Sequence, residues 1–180
     1  MKKTLYQKIE IPEGIEVNIN GSEIIVKGKE GELKKNFNLG KLEFKKQGNE
    51  IIIGNKQSTK TEKRMMNSIT AHIKNLIKGV QEKFKYKLKI CFSHFPMNVE
   101  VKETQALIKN FIGEKIARKV TIPRGVEIET TKDFITIKSL SKELAGQAAA
   151  NFEKATRIRN KDRRVFQDGI FIINKAGREI

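Results

Sequence analysis

A stretch of 21 residues occurs twice in this chain without a gap. "KIEIPEGIEVNINGSEIIVKG" begins at Lys8 and "KVTIPRGVEIETTKDFITIKS" begins at Lys119, an offset of 111 residues. Pro12 meets Pro123, Gly14 meets Gly125, Glu16 meets Glu127 and Lys27 meets Lys138. The apolar positions keep step: Ile15 with Val126, Val17 with Ile128, Ile24 with Ile135, Val26 with Ile137. Each copy alternates apolar and polar residues with β-branched side chains, the pattern of a half-buried strand, and so predicts a β-hairpin. Asn20-Gly21 suits a turn that needs positive φ. The second copy has Thr131-Lys132-Asp133 there, which predicts a different turn. Pro-x-Gly marks the entry bend of both. Two such hairpins imply an internal duplication.

The rest of the chain extends the two hairpins into two modules. In the first half "GELKKNF", "LEFKK" and "EIIIG" add strands. Thr59 then reads as the N-cap of a helix, with Glu62 completing a capping box, and Gly79 stands where that helix stops. In the second half "FKYKLKICF", "MNVEV" and "ALIKNF" supply strands, and Ser141 caps "KELAGQAAANFEKA". The expected fold class is α+β: two tandem duplicated modules, each an antiparallel sheet with one packed helix, over residues 1–81 and 82–180. No low-complexity linker separates them.

The charge is one-sided. The chain has 37 Lys+Arg against 21 Asp+Glu, a net charge of +16, divided as +7 in residues 1–80 and +9 in residues 81–180. A field of this sign collects polyanions, nucleic acid above all. The densest stretch is "RIRNKDRRVFQDG", where Arg157, Arg159, Lys161, Arg163 and Arg164 fall within eight residues. Such crowding of like charge opposes folding unless an outside anion relieves it. Phe166 reads as the ring that anchors this segment to the core. On the first helix, Lys60, Lys63, Arg64, Asn67, Lys74 and Lys78 share one face, and Met65, Met66, Ile69, Ile73, Leu76 and Ile77 the other. The apolar face is core; the basic face is either solvated or a second phosphate-contacting surface. On the second helix Leu144, Ala148, Phe152 and Ala155 form a narrow stripe with Ala145 and Ala149 beside it, and Gly146 allows close approach to the sheet.

Motifs for catalysis are missing. His72 and His94 flank Cys91 at no zinc spacing, so no metal site is expected. His72 reads as a packed core-edge residue and Cys91 as a buried, inert thiol. No Walker-type loop, G-x-S-x-G or paired carboxylates occur, and no catalytic residue or cofactor is expected. A single Cys excludes a disulfide framework. The basic N-terminus lacks the apolar stretch of a secretory signal, and no run of apolar residues is long enough to span a bilayer.

The chain resembles a large-subunit ribosomal protein of the sixth universal family, in its archaeal and eukaryotic form. The resemblance spans essentially the whole sequence. It rests on "IPEGIEV" with "IIVKGKEGELKKNF", on "NLIKGV", on "FSHFPMNV" and on "AGQAAANFEKATRIRNKDRRVFQDGIFI". The last stretch is the most specific, because the bacterial branch carries a Pro-rich "PEPYKGKGI"-like segment at that point. The resemblance implies a non-enzymatic, cytoplasmic ribosomal constituent. It implies binding to large-subunit rRNA near the factor-binding, GTPase-associated region and the sarcin–ricin loop. Neighbouring large-subunit proteins and passing translation factors are the implied protein partners; a membrane is not, and the protein is a monomer within the ribosome. Carried onto this chain, the rRNA-binding residues are Arg157, Arg159, Asn160, Lys161, Arg163, Arg164 and Gln167. Lys60, Lys63, Arg64, Lys74 and Lys78 form the secondary candidate, and Lys2 and Lys3 should matter far less than Arg163 and Arg164.

Few aromatic residues interleave the basic stretch, so a single-strand stacking platform is disfavoured against backbone recognition of folded RNA. The rivals are a basic nucleic-acid or acidic-partner adaptor outside the ribosome, a membrane-surface module, and, more weakly, an enzyme acting on nucleic acid.

Overall fold

The alternating strands and the two N-capped helices predicted above form in the computed structural model, which describes residues 3–180, but the first helix runs on through Gly79, its predicted stop, to Gln81; Lys2 and the side chain of Lys3 lie outside the described residues. The chain divides into two compact units, Met1–Lys83 and Phe84–Ile180.

The first unit contains β1 (Lys3–Glu10), β2 (Glu16–Asn20), β3 (Glu23–Gly28), β4 (Gly31–Asn36), β5 (Glu43–Gln47), β6 (Glu50–Ser58) and α1 (Lys60–Gln81). Its strands divide between two antiparallel sheets, ordered β2-β3-β4 and β1-β6-β5. Each sheet therefore combines a hairpin from one half of the unit with a single strand from the other half. β1 crosses to the hairpin β5-β6, and β4 joins the hairpin β2-β3. The backbone N–H of Thr59 donates to Glu62 Oε2 at 2.8 Å and the Thr59 side chain accepts from the Glu62 backbone N–H, which together form the capping box that starts α1; the Thr59 hydroxyl also donates to Glu62 Oε2. Met66, Ile69, Ile73, Leu76, Ile77 and Val80 are buried against Ile9, Val17, Ile24, Val26, Ile51 and Ile53, with Met65 half-buried at the margin. The helix thus closes a core to which both sheets contribute.

The second unit contains β7 (Phe84–Cys91), β8 (Asn98–Lys102), β9 (Gln105–Lys109), a 3-10 turn (Phe111–Gly113), β10 (Arg118–Thr121), β11 (Glu127–Thr130), β12 (Phe134–Ser139), α2 (Lys142–Ala155), β13 (Gly169–Lys175) and β14 (Arg178–Glu179). Its sheets are ordered β10-β9-β8 and β11-β12-β7-β13-β14. Taken in chain order, β7 to β12 repeat the pairing of β1 to β6: a leading strand beside the last hairpin, the fourth strand beside the first hairpin, then the helix. β13 and β14 extend one sheet further.

This topology changes the meaning of the sequence repeat. The hairpin registers agree, with Glu16 opposite Lys27 and Glu127 opposite Lys138. The entry glycines agree too, at φ +83° for Gly14 and +81° for Gly125, which only glycine adopts without strain. Yet β2-β3 is the first hairpin of its unit and β11-β12 is the second hairpin of the other. The 111-residue offset therefore relates half-units rather than whole units. The chain is built from four strand-plus-hairpin motifs, exchanged in pairs within each unit. The second hairpin also turns as expected without Gly: Thr131 N–H donates to the Phe134 carbonyl at 2.8 Å, and Thr131 Oγ1 accepts from Phe134 N at 3.2 Å.

The second core surrounds α2. Ser141 Oγ accepts from Leu144 N and starts the helix. Ala145, Ala148, Ala149 and Phe152 are buried against Tyr86, Leu88, Ile90, Ile135, Ile137 and Ile170. Ala145 and Ala149 take the central place that the sequence stripe assigns to Leu144, which is 37% exposed. A Cβ at Gly146 would stand 3.3 Å from Tyr86 Oη, so the close approach predicted for this glycine is real.

Candidate nucleic-acid interface

The basic stretch forms a loop between the end of α2 and the start of β13, and buried polar groups hold both of its ends. Thr156, 3% exposed, caps the helix: its hydroxyl donates to the Phe152 carbonyl at 3.2 Å and accepts from Ile170 N at 2.9 Å. One hydroxyl thus joins helix end to strand start across fourteen residues. Asp168, 6% exposed, fixes the exit: its Oδ1 accepts from Ser93 N at 3.2 Å and Ser93 Oγ at 3.1 Å. Arg118 braces the entry. Its Nη1 donates to the Ala155 carbonyl at 2.7 Å and the Arg157 carbonyl at 3.4 Å, taking up carbonyls that the helix end leaves unpaired. Its Nε and Nη2 bind the Glu114 carboxylate at 2.8 and 2.5 Å, and its guanidinium lies 4.2 Å from the Phe111 ring centroid. The bidentate hydrogen bonds from Arg118 hold the Glu114 carboxyl below the usual carboxylate range.

Inside the loop the backbone supports itself. Asp162 Oδ1 accepts from Arg164 N at 2.9 Å, and the Asp162 carbonyl accepts from Phe166 N at 2.9 Å. Asn160 sits at φ +56°, a conformation Asn tolerates better than most side chains. Gln167 Nε2 donates to the Arg164 carbonyl at 3.4 Å. These bonds order the backbone without using a cationic side chain, apart from Lys161, whose Nζ lies 4.5 Å over the Phe166 ring.

All seven residues assigned to rRNA by resemblance are exposed: Arg157, Arg159, Asn160, Lys161, Arg163, Arg164 and Gln167. Among the described residues, none of the four arginines is in an ion pair. Arg157, Arg163 and Gln167 line an open groove of about 1020 Å³. Arg159 and Lys161 line a smaller hollow beside Glu114 and Arg118. Asn160 and Arg164 line neither.

Two expectations fail here. Phe166 is not a core anchor; it is 36% exposed on the groove wall, beside Val165 at 73%. The chain turns at Asp162–Phe166 and holds to the core through Thr156 and Asp168 instead. Cys91 is half-exposed rather than buried, and it also lines the groove. Gly169 stands directly opposite it in the β13–β7 register and presents no side chain to cover it. Phe92 and Phe171, which sequence reasoning misses, complete the apolar wall and are 39% and 43% exposed. The alternation of β13 is the available signal, because it puts Phe171 on the face opposite Ile170.

The second candidate surface stands apart on α1. Lys60, Lys63, Arg64, Asn67, Lys74 and Lys78 are all exposed, opposite the buried face. His72 is half-buried at the margin, with Nδ1 3.3 Å from Lys35 Nζ and its ring 6.2 Å from Phe37. Among the described residues no cluster of His, Cys, Asp or Glu could hold a metal ion. No helix of the described residues is long and apolar enough to cross a membrane.

The family model for ribosomal protein L6 matches the chain twice, over residues 11–83 and 95–169. The second match starts 84 residues after the first, and so follows the whole-unit repeat seen in the strand topology rather than the 111-residue repeat of hairpins. Curated relatives include the large ribosomal subunit protein uL6 of Methanothrix thermoacetophila, 39% identical over 175 residues, covering 97% of this chain and 99% of the relative. The uL6 protein of Methanococcus vannielii is 38% identical over 172 residues, covering 96% and 94%. That of Sulfurisphaera tokodaii is 42% identical over 172 residues, covering 95% and 92%. With both units matched and such relatives aligned over nearly their full length, the chain belongs to the ribosomal protein L6 family.

Proposed function

We propose that this chain is a structural, non-enzymatic constituent of the large ribosomal subunit and that its second unit, Phe84–Ile180, binds large-subunit rRNA through the loop 157–167. The observation that carries the reading is the set of five exposed cations, Arg157, Arg159, Lys161, Arg163 and Arg164, on a loop already ordered by its own backbone bonds. Side chains presented this way lose little backbone freedom on meeting phosphate, and phosphate relieves their mutual repulsion. Contacts to phosphate and ribose position a protein on folded RNA without reading base sequence. The α1 face from Lys60 to Lys78 is a second phosphate-contacting surface. In this reading, which follows the family resemblance, the site lies near the factor-binding region and the sarcin–ricin loop, in the cytoplasm, with neighbouring large-subunit proteins around a monomer and translation factors passing by.

The test is a salt titration of binding to a large-subunit rRNA fragment. Replacing one Arg by Ala leaves one phosphate with its counterions, and should flatten the slope of log affinity against log salt by about 0.7 to 0.9. Arg163→Ala with Arg164→Ala should flatten it by about twice that, while the melting of the free protein stays within about 0.5 kcal/mol of the parent. An unchanged slope would make this loop a solvated surface and shift the rRNA contact to α1. Failure of the chain to co-sediment with large subunits after a high-salt wash would favour an adaptor outside the ribosome.

A further inference from the structure

The groove beside the basic loop has a chemistry that backbone recognition does not use. Its apolar wall contains Phe92, Val165, Phe166 and Phe171. These side chains are 39, 73, 36 and 43% exposed and gather on one wall of the groove. They come from three places: the strand end after β7, the turn inside the basic loop, and the outer face of β13. The Phe171 ring folds back over Gly169, where a Cβ would meet it at 2.9 Å, so the glycine makes room for the ring to lie along the groove. Lys154, Arg157 and Arg163 also line the groove. Of its two carboxylates, that of Asp168 is occupied by Ser93, and Glu153 remains exposed.

Flat apolar rings framed by cations complement a ligand with flat apolar faces and anionic linkages. We propose that this groove seats unstacked bases of single-stranded RNA, with Phe166 and Phe171 as stacking surfaces and Arg157 and Arg163 on the flanking phosphates. The proposal rests on the reading of loop 157–167 as an rRNA contact and adds that the contact includes a loop, bulge or end of the RNA rather than duplex alone. Single-stranded RNA is where bases are free to leave the helix and stack on aromatic side chains, and such stacking tolerates any base because each has a π-face. The groove volume of about 1020 Å³ stands at the top of the range of about 300–1,000 Å³ typical of small-ligand sites, which leaves room for more than one base. Lys161, 4.5 Å over the Phe166 ring, occupies one ring face in the free protein and is free to move to a phosphate when a base arrives.

The experiment compares the full chain with Phe166→Leu, Phe171→Leu and Arg163→Ala. The probes are a short single-stranded RNA carrying 2-aminopurine and a duplex RNA with the same number of phosphates. Leucine keeps apolar bulk and removes the π-face, so each Leu variant should weaken single-strand binding by about five- to a hundredfold. The same variants should leave duplex binding and the salt slope unchanged, and should abolish the change in 2-aminopurine emission seen with the parent. Arg163→Ala should weaken both probes and flatten both slopes. If Phe171→Leu fails to fold, Phe166→Leu, on an exposed turn, decides alone. Leu variants that bind and perturb the single strand as the parent does would overturn the proposal and leave the phosphate contact standing. Leu variants that lose binding to an acidic, apolar peptide and keep single-strand binding would overturn it in favour of a protein occupant. Absence of salt-dependent binding to either RNA would remove the underlying interface reading itself, and the proposal with it.

Discussion

Replacing Thr156 by Val tests how the interface loop is held. Val keeps the shape of Thr and adds a methyl, so a site governed by apolar burial would tolerate it. The hydroxyl, however, is the hydrogen-bond partner of the Ile170 N–H at 2.9 Å, and Ile170 is fully buried. Phe152 keeps a partner for its carbonyl, because Thr156 N–H also donates to it at 3.2 Å. The uncompensated loss is therefore one buried N–H, which costs about 1–3 kcal/mol. Taking about 2 kcal/mol, the second unit should melt about 8–16 °C lower, from the sensitivity of domains of this size. Thr156→Ser keeps the hydroxyl and loses a methyl, so the two variants oppose apolar burial and hydrogen bonding at one position. Calorimetry of both, with amide exchange at Ile170, is the assay. Val should be the less stable of the two, and its Ile170 amide should exchange faster than that of the parent. If Val equals or exceeds Ser in stability, the hydroxyl is not what closes the loop, and the Arg array is not held in order by it.

Further outcomes follow from burial and charge. Phe152→Ala should destabilise the second unit by about 3–5 kcal/mol, because its ring is fully buried, while Phe166→Ala should cost under about 1 kcal/mol; thermal melts separate them. Gly54→Ala would drive a Cβ into the Leu5 carbonyl in the β1–β6 ladder, and should destabilise the first unit by about 1–3 kcal/mol or more, read from thermal melts. Glu114 has a folded pKa below its unfolded value. Its contribution is therefore complete above the unfolded carboxylate range and is lost as pH falls through the folded pKa. Melts of Glu114→Gln and the parent should differ at neutral pH, by at most about 1 kcal/mol given the exposure of the pair, and converge in acid.

Local features are legible in the sequence because local chemistry decides them. The capping box at Thr59, the two faces of α1 and the matched registers of 16–27 and 127–138 need only neighbouring residues. The division of each unit between two sheets is not legible, because period-2 alternation identifies a strand without naming its partner. The same gap explains the groove. Phe92 and Phe166 are far apart in sequence, and only the pairing of β7 with β13 brings their surroundings together. Phe166 misleads because an aromatic residue beside a charge cluster resembles an anchor. The anchoring falls instead to Thr156 and Asp168, small polar residues whose importance depends on partners far along the chain.

The exchange of single strands between half-units also sets an order for synthesis. Residues 3–36 contain two complete hairpin ladders, but β1 has no partner until β6 exists, since Ile9 pairs with Ile51. A nascent chain released at residue 47 holds one unpaired strand and one half-built hairpin, both with bare edges open to other chains. In the second unit β7 meets β12 first, through Leu88 and Ile135, and its other edge stays open until Ile170 of β13 pairs with Ile90. Pairings this distant in sequence close slowly. The basic loop precedes β13, so an arginine-rich segment is out in solution before the strand that secures it can dock. Premature contact with RNA would catch the second unit with its widest sheet unfinished, so the docking of β13 bears on assembly as well as on folding.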